Sequence, residues 1–232
     1  MAVRVDATVP SLARTGIALP LLIDVVPADQ PIIITIDGPA GTGKSSVARS
    51  LAKKLGLDFL DTGAMYRAAA AIAIDHGIGI TDRATLVAKV EDADLHFDWR
   101  TDPPAILAWN VPLNGRIRDA DVTAIVSGVA AIPELRAHMV RKQRLIAQQH
   151  PRLVSEGRDQ GSVVFPGAAL KFYLDASPAI RARRRAAQLA DAGATPPEID
   201  ALEREIIERD RSDSSRADGP LICPDDALVI DT

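Results

Sequence analysis

The chain has 232 residues, of which 47% are hydrophobic and 25% charged, with a formal net charge of −4 and one cysteine, Cys223. This composition allows one α/β core with smaller inserted segments and argues against a disordered chain. The charge argues against a strongly basic nucleic-acid binder, and the lone cysteine excludes an internal disulfide or a multi-cysteine metal site. We expect a cytoplasmic globular protein with no nucleic-acid polymer as partner.

The first 30 residues contain an apolar run from Ile17 to Val26, which is interrupted by Pro20 and Asp24. This run is shorter than the roughly 18 apolar residues that span a bilayer, and it lacks the features of a signal peptide. We interpret residues 1–30 as an N-terminal extension of unknown role and expect no membrane association.

The predicted fold opens with an apolar run, Ile32–Asp37, which is typical of a buried parallel strand. Apolar residues at helical spacing then predict a helix from Gly43 to Leu55, with Gly56 at its C-terminus. A strand at 58–60 and a second helix over 64–75 follow. This β-loop-α-β-loop-α order predicts a parallel sheet flanked by helices, with ligands beyond the carboxyl ends of its strands.

The loop between the first strand and the first helix fits the pattern G-x-x-x-x-G-K-[ST]. Its glycines allow consecutive backbone N–H groups to surround an anion, while Lys44 reaches the β and γ phosphates and the Ser45 hydroxyl ligates Mg²⁺. The pattern therefore indicates a nucleoside triphosphate site. The residues assigned to it are Gly38, Pro39, Ala40, Gly41, Thr42, Gly43, Lys44, Ser45 and Ser46.

The middle of the chain changes character. Strands at 95–99 and 106–111, joined around Pro103-Pro104, predict a small antiparallel insert, and helices follow at about 121–131 and 133–149. Strands at 152–155 and 170–174 then return to the core sheet, followed by charged helices at about 177–190 and 197–211, a hinge-like break at 191–194 between them, and a last strand at 226–230.

Four segments of the chain are informative together. They are 38–46, 60–67 (LDTGAMYR), 156–166 (EGRDQGSVVFP), and Arg209 and Asp210 with Asp213 and Arg216. In this order, over residues 32–232, they closely resemble the corresponding segments of bacterial cytidylate kinases. The phosphate loop alone indicates only an NTPase, and the second segment is typical of nucleoside monophosphate kinases in general. The third and fourth segments narrow the resemblance to cytidylate kinases, whereas adenylate kinases usually carry Gly-Thr after the loop lysine.

The resemblance implies transfer of the ATP γ-phosphoryl group to CMP or dCMP with Mg²⁺, by a monomer that supplies pyrimidine nucleotides. It also implies a P-loop NTPase-type α/β fold with a core (31–87, 151–180 and 201–232), a small antiparallel acceptor-binding insert (88–150) and a short helical lid (181–200). The family usually continues past the last strand into a C-terminal helix, so we expect some apolar sheet surface to be exposed.

Phosphoryl transfer to a monophosphate needs no general base, because the acceptor oxygen is already largely ionised at neutral pH. It needs alignment and cations that stabilise charge on the transferred group. This fits a chain with 21 arginines and no catalytic constellation around its histidines. Lys44 of the loop is one such cation, and the resemblance adds Arg158 and either Arg184 or Arg185 as the lid arginine that closes over the transferred group. Ser45 is the expected metal ligand, and Glu156, at a strand end, is expected to contact the metal through water.

The resemblance also assigns an acceptor site. Arg67, Arg158 and Arg209 would hold the phosphate of the acceptor nucleotide. Arg118 and Asp159 would contact its base, with Thr62 as a further hydrogen-bonding group. Asp213 would accept a hydrogen bond from the sugar, and Arg216 would bridge the nucleotide and the lid. The carboxylate would accept from the cytosine amine, which uracil lacks. The full set is Asp61, Thr62, Arg67, Arg118, Arg158, Asp159, Arg209, Asp213 and Arg216.

Simpler roles stay open at this point. An ion pair with Asp119 is the alternative for Arg118, a surface ion pair for Arg209, and a purely structural carboxylate for Glu156. For the whole chain, the alternatives are a kinase for another acceptor, such as UMP or AMP, and a nucleotide-sensing module without turnover. An assay with several acceptors separates a CMP kinase from a kinase for UMP or AMP. The presence of Lys44, Arg158 and Arg209 argues against a nucleotide-sensing module.

Overall fold

The computed structural model describes residues 30–191 and 193–232. Its main sheet has five strands, β1 (Ile32–Asp37), β2 (Asp58–Asp61), β6 (Arg152–Glu156), β7 (Leu170–Asp175) and β8 (Leu228–Asp231). They are all parallel, in the order β2-β6-β1-β7-β8. The central strand β1 thus has a neighbour on each side, and the segments that follow β1, β2 and β6 emerge at one edge of the sheet.

Helices cover both faces of this sheet, which is why β1 is apolar without alternation. Ile34 packs with Ala48 and Ala52 in one buried cluster, and Ile33 packs against a second cluster that contains Leu60. The helices are α1 (Lys44–Leu55), α2 (Thr62–Asp75), α3 (Arg83–Asp92), α4 (Ala120–Val129), α5 (Pro133–Gln149), α6 (Pro178–Asp191) and α7 (Ile199–Ser214).

A second, antiparallel sheet contains β3 (His96–Asp98), β4 (Ala105–Ala108) and β5 (Val111–Pro112). The single strand expected over 106–111 is divided here, because Trp109 and Asn110 have positive φ angles of 49° and 63° that reverse the chain. The expectation of a small antiparallel sheet is confirmed, with one hairpin more than the sequence indicated.

Most predicted elements are present within a few residues of their expected bounds. The helix predicted to end at Gly56 does so, with that residue at φ 61° and its N–H bonded to the Ala52 carbonyl. Helix α3 was not expected; Asp82 caps it by accepting from the Thr85 N–H at 3.3 Å, and its buried face carries Leu86. The extension predicted over residues 1–30 lies outside the described residues, apart from Gln30.

Strand β8 forms one edge of the main sheet. Its apolar side chains are 38% (Leu228), 63% (Val229) and 43% (Ile230) exposed, in agreement with the expectation of uncovered sheet surface. In the part of the chain that the structure describes, every helix is too short or too polar to cross a membrane. The architecture confirms the P-loop NTPase-type α/β fold, whereas the boundaries given above for core, insert and lid stay predictions.

Candidate active site

Two adjoining cavities lie at the carboxyl edge of the main sheet, where open α/β sheets bind their ligands. The smaller, of about 200 Å³, reaches from the phosphate loop to α2, α4, α5 and α7. The larger, of about 460 Å³, lies between the same loop and α6 and α7. Both are lined by Ala40, Gly41, Lys44, Ser45, Arg67, Arg118 and Arg209.

The loop 38–45 has the close packing that its glycines predict. Gly38 has φ 143°, and a Cβ there would lie 2.0 Å from the Leu174 carbonyl oxygen, so only glycine fits. Lys44 is buried and its Nζ donates to the Pro39 carbonyl at 2.7 Å. Burial, with the nearby charge of Arg158 as the next cause, lowers the pKa of Lys44. A phosphate in the loop would offer this ammonium a stronger acceptor.

Ser45 and Glu156 lie side by side between the loop and the end of β6. The Ser45 hydroxyl donates to Glu156 Oε1 at 2.7 Å, and burial, followed by the charge of Asp61, raises the pKa of Glu156. Two neighbouring oxygen ligands fit Mg²⁺, which prefers oxygen and retains waters and phosphates in its shell. Among the described residues no group of three or more His, Cys, Asp or Glu is arranged to hold a metal, so such an ion would take its other ligands from substrate and water.

Asp37, a weaker candidate for the metal, is engaged elsewhere. Its two carboxylate oxygens accept from the backbone N–H groups of Gln160 (2.9 Å) and Gly161 (2.7 Å). Burial raises the pKa of Asp37 to about 6. The carboxylate therefore fixes the π-helical turn Gln160–Val164 against the residue that precedes the phosphate loop.

Three arginines from different elements meet in the smaller cavity. Arg158 donates Nε to Asp213 Oδ2 at 3.0 Å, and Arg67 donates to the Thr123 hydroxyl at 3.2 Å. Within residues 30–191 and 193–232, no carboxylate oxygen lies within 4.0 Å of the Arg67 or Arg209 guanidinium, and Arg209 Nε is buried without a hydrogen-bond partner. Partly buried cations without a carboxylate in direct contact suit a phosphate.

The pKa values of these two arginines are lowered by their burial. Burial lowers the pKa of Arg67, and burial with the charge of Arg158 lowers the pKa of Arg209 to about 10. Both groups stay charged near neutral pH. Their partial desolvation is a cost that an incoming dianion would offset.

The partner of Asp159 is Arg136, a residue that the sequence reasoning missed. The two side chains form a buried ion pair, and the Arg136 guanidinium lies 5.7 Å from the centre of the Tyr66 ring. Burial raises the pKa of Asp159 in spite of this cation. The available signal was a charged residue on the buried face of α5, which also carries Met139 and Gln143.

Arg118 lines both cavities without contacting Asp159. Its alternative role, an ion pair with Asp119, is not formed either, since Asp119 pairs with Arg116 at 3.0 Å. Arg118 therefore lies in the lining that the two cavities share, as Arg67 does, and its role in reading the base stays a prediction.

The segment that follows α7 closes over the Arg136–Asp159 pair. Gly219 has φ 58°, and a Cβ there would lie 1.8 Å from Arg136 Nη2 and 2.4 Å from Asp159 Oδ2. Just before it, Asp213 accepts from both Arg158 and Arg216. A glycine is thus needed where the backbone covers the ion pair.

Thr62 and Asp61 line the smaller cavity and also hold the local backbone. The Thr62 hydroxyl donates to the Glu156 carbonyl at 2.7 Å, and Asp61 caps α2 by accepting from the Ala64 N–H at 2.9 Å. These bonds tie the end of β2 and the start of α2 to the end of β6.

Three of the four arginines of α6 line the larger cavity: Arg181, Arg184 and Arg185. Arg184 donates to the Thr232 hydroxyl at 3.0 Å. Arg181, which shares their face by spacing, is only 3% exposed and donates to the Ala40 carbonyl and to Asp210. Arg181 is therefore part of the framework, whereas Arg184 and Arg185 are the candidates to contact a ligand.

A phosphate loop at the carboxyl edge of a parallel sheet, facing a second pocket lined by arginines, defines a P-loop nucleotide kinase. The family model described as cytidylate kinase matches residues 34–232. The chain is 43% identical over 201 residues to a cytidylate kinase of Methylococcus capsulatus, covering 86% of this chain and 89% of that one. The chain belongs to the cytidylate kinase family, as its motifs predicted.

Further relatives support the same family assignment. A cytidylate kinase of Corynebacterium efficiens is 41% identical over 204 residues, covering 88% of each chain. A bifunctional pantoate ligase/cytidylate kinase of Synechococcus sp. (strain RCC307) is 46% identical over 199 residues, which are 85% of this chain but 39% of the relative. A shikimate kinase structure from Bacteroides thetaiotaomicron shares 15% identity and a TM-score of 0.38, over 80% of both chains, so the family assignment rests on the sequence relatives.

Proposed function

We propose that the chain transfers the γ-phosphoryl group of ATP to CMP or dCMP, giving ADP and CDP or dCDP, and so supplies pyrimidine diphosphates. The observation that carries the proposal is the position of Arg67 and Arg209. These two guanidinium groups are partly buried and lack a carboxylate within 4.0 Å among the described residues, and both line the two cavities that meet at the phosphate loop. They mark the place of a second phosphate, opposite the donor.

The donor lies in the loop 38–46. Its backbone N–H groups hold the ATP phosphates, Lys44 exchanges the Pro39 carbonyl for a phosphate oxygen, and Arg184 and Arg185 turn toward the transferred group from the larger cavity. Enclosure by α6 and α7 then keeps water from competing with the acceptor.

The acceptor phosphate lies between Arg67, Arg158 and Arg209. Planar guanidinium groups can hold its oxygens at fixed angles, which leaves one oxygen directed at the donor. No side chain needs to remove a proton, because a phosphate monoester has its second pKa near 6. The chain's contribution is alignment and charge.

Mg²⁺ is the proposed cofactor. Ser45 would hold it directly and Glu156 through a water, since the two side chains already share a hydrogen bond. The ion neutralises charge on the donor phosphates.

Base recognition falls to Asp159 and Arg136. Cytosine has acceptors at N3 and O2 and an amine at N4, so a carboxylate and a guanidinium held together match its edge. Asp213 and Arg216 contact the sugar side, with Thr62 as a further hydrogen-bonding group. For Arg118, which the sequence assigned to the base, we propose a contact with the phosphates, because Arg118 and Arg67 both line the two cavities.

We propose that the chain acts as a monomer. The reaction belongs in the cytoplasm, where ATP and CMP are available to it.

The test is CMP-dependent formation of ADP from ATP and Mg²⁺ by purified protein, with dCMP, UMP and AMP assayed in parallel. Turnover with CMP and dCMP, weak turnover with UMP and none with AMP is the expected result. A preference for UMP or AMP would replace the acceptor in the proposal. Absence of turnover with every acceptor, in protein that still binds ATP, would reject the kinase and favour a nucleotide sensor.

A further inference from the structure

We propose that Arg181 is a positioning residue that couples the donor loop to the acceptor arginine Arg209, acting through Asp210. The proposal rests on the proposed kinase function and adds to it a residue outside the set that holds substrate. Arg181 lies at the wall of the larger cavity, but it is only 3% exposed and its hydrogen bonds go to protein groups. Its role is to fix where other groups lie.

The Arg181 guanidinium joins three elements. Its Nε donates to the Ala176 carbonyl at 2.9 Å, just beyond β7, and its Nη1 donates to the Ala40 carbonyl at 3.1 Å, in the phosphate loop. Its Nη2 donates to Asp210 Oδ2 at 2.5 Å, on α7. One planar group thus holds a sheet end, the donor loop and an acceptor-bearing helix in a fixed relation.

Asp210 connects this group to the acceptor cavity. It directly follows Arg209 on α7, and the same helix carries Asp213, which accepts from Arg158. Its other oxygen, Oδ1, is buried without a hydrogen-bond partner, so its carboxylate is committed to Arg181. A shift of the loop at Ala40 is therefore transmitted through two side chains to Arg209.

The contact is also steric. A Cβ at Gly41 would lie 3.2 Å from the Arg181 Cβ, so the loop packs directly on the stem of this side chain. A lysine would keep the charge but offers no planar group that reaches the three acceptors at fixed angles. In-line transfer depends on the separation of donor and acceptor phosphates, and a displacement near 1 Å costs about 100-fold in rate.

The experiment compares the wild type with Arg181→Met, Arg181→Lys, Asp210→Leu and the double variant Arg181→Met/Asp210→Leu. Arg183→Met is the matched control, because Arg183 is an exposed arginine of the same helix. CDP and ADP are measured in the same reactions, with kcat and KM for ATP and CMP and a thermal midpoint for every variant.

Arg181→Met is expected to lower kcat about 100-fold while KM for ATP changes by no more than about threefold. ADP formed per CDP formed should rise above the value of the wild type, because misaligned γ-phosphoryl groups are lost to water. Lysine should not restore kcat, and the double variant should be no slower than Arg181→Met. A merely structural residue would change the folded fraction without changing the ADP to CDP ratio.

The proposal is overturned by a normal kcat and product ratio in Arg181→Met, by rescue with lysine, or by losses in Arg181→Met and Asp210→Leu that multiply in the double variant. If Arg181→Met does not fold, the ratio of ADP to CDP is measured in the double variant, because that variant leaves no unpaired carboxylate at position 210. Wild-type protein without CMP turnover would reject the kinase function and the coupling with it. Wild-type turnover beside unaffected variants rejects the coupling alone.

Discussion

Arg136 and Asp159 form an ion pair whose two residues are only 4% and 3% exposed, at the wall of the smaller cavity. They come from α5 and from the loop after β6, and the backbone at Gly219 covers them. Removing either partner would leave the other as an unpaired buried charge, which is strongly unfavourable. Each side chain therefore fixes the position of the other. This rigid donor and acceptor set is what we expect to read the cytosine edge.

Asp159→Asn is expected to reduce the preference for CMP over UMP. An amide can donate to the uracil carbonyl where the carboxylate could only accept, so the ratio of kcat/KM values for CMP and UMP should fall by roughly 10- to 100-fold. The ratio is unaffected by partial unfolding, because both substrates are assayed with the same protein. Asp225→Asn, at an exposed position, is the control; an unchanged ratio in Asp159→Asn would remove this carboxylate from base recognition.

Arg209→Met is expected to weaken CMP binding without weakening the fold. The KM for CMP should rise about 10- to 100-fold with the loss of a charged hydrogen bond. Because this guanidinium is partly buried, with its Nε unpaired and no carboxylate within 4.0 Å among the described residues, the free energy of unfolding should stay the same or rise by about 1 kcal/mol. Steady-state kinetics and urea unfolding check the two effects, with exposed Arg204→Met as control. Lower stability with normal KM would make Arg209 a structural residue.

Lys44→Ala is expected to abolish most turnover. Loss of the ammonium that meets the transferred phosphoryl group should lower kcat at least about 100-fold, with the thermal midpoint close to that of the wild type. The assay is ADP formation with saturating CMP, and the exposed Lys53→Ala variant on the same helix is the matched control. ADP production at the wild-type rate would refute the assignment of Lys44.

Asp37→Asn is expected to destabilise the protein, most strongly at low pH. The amide presents an N–H group to one of the two backbone donors, Gln160 or Gly161, which leaves that buried donor unpaired at a cost of about 1–3 kcal/mol. In the wild type the folded-state pKa of Asp37 is about 6, above its usual 3.8. The folded state therefore binds this proton more tightly than the unfolded state.

It follows that the stability from this proton is fully present below pH 3.8 and is lost as the pH rises through 6, whereas asparagine does not titrate. The destabilisation by Asp37→Asn should thus shrink between pH 4 and pH 7, by up to about 3 kcal/mol. Urea unfolding of both proteins at several pH values gives the difference directly. A difference that is constant, or that grows with pH, would contradict a raised pKa.

The local patterns were sufficient for most of the fold. A continuous apolar run predicted β1 because this strand is covered on both faces, and helical spacing predicted α1 and α5 because each of these helices buries one side. Helix α3 was missed because it is short and only weakly amphipathic, with Leu86 and Val90 as its buried residues. The division of the 106–111 strand depends on two positive φ angles at non-glycine residues, which no local pattern signals.

In the candidate site too, some residues could be predicted from the sequence and others could not. The loop around Lys44 is contiguous, so its chemistry could be predicted from spacing alone. Arg136 lies 23 positions before Asp159, and nothing in the local sequence pairs the two. Helical spacing puts Arg181 on one face with Arg184 and Arg185, and only the packing of α6 on α7 and on the loop shows that Arg181 is buried.

By itself the sequence determined the class of this protein: a phosphate loop after a buried strand, a parallel sheet, and arginines in the order of a cytidylate kinase. These features depend on residue type and on short spacing along the chain. The tertiary structure decided which arginine is paired, which is partly buried without a carboxylate in direct contact, and which serves as a link between elements. Those properties depend on distances between residues far apart in sequence, and a charge acquires its role only from the groups that folding brings within a few ångströms of it.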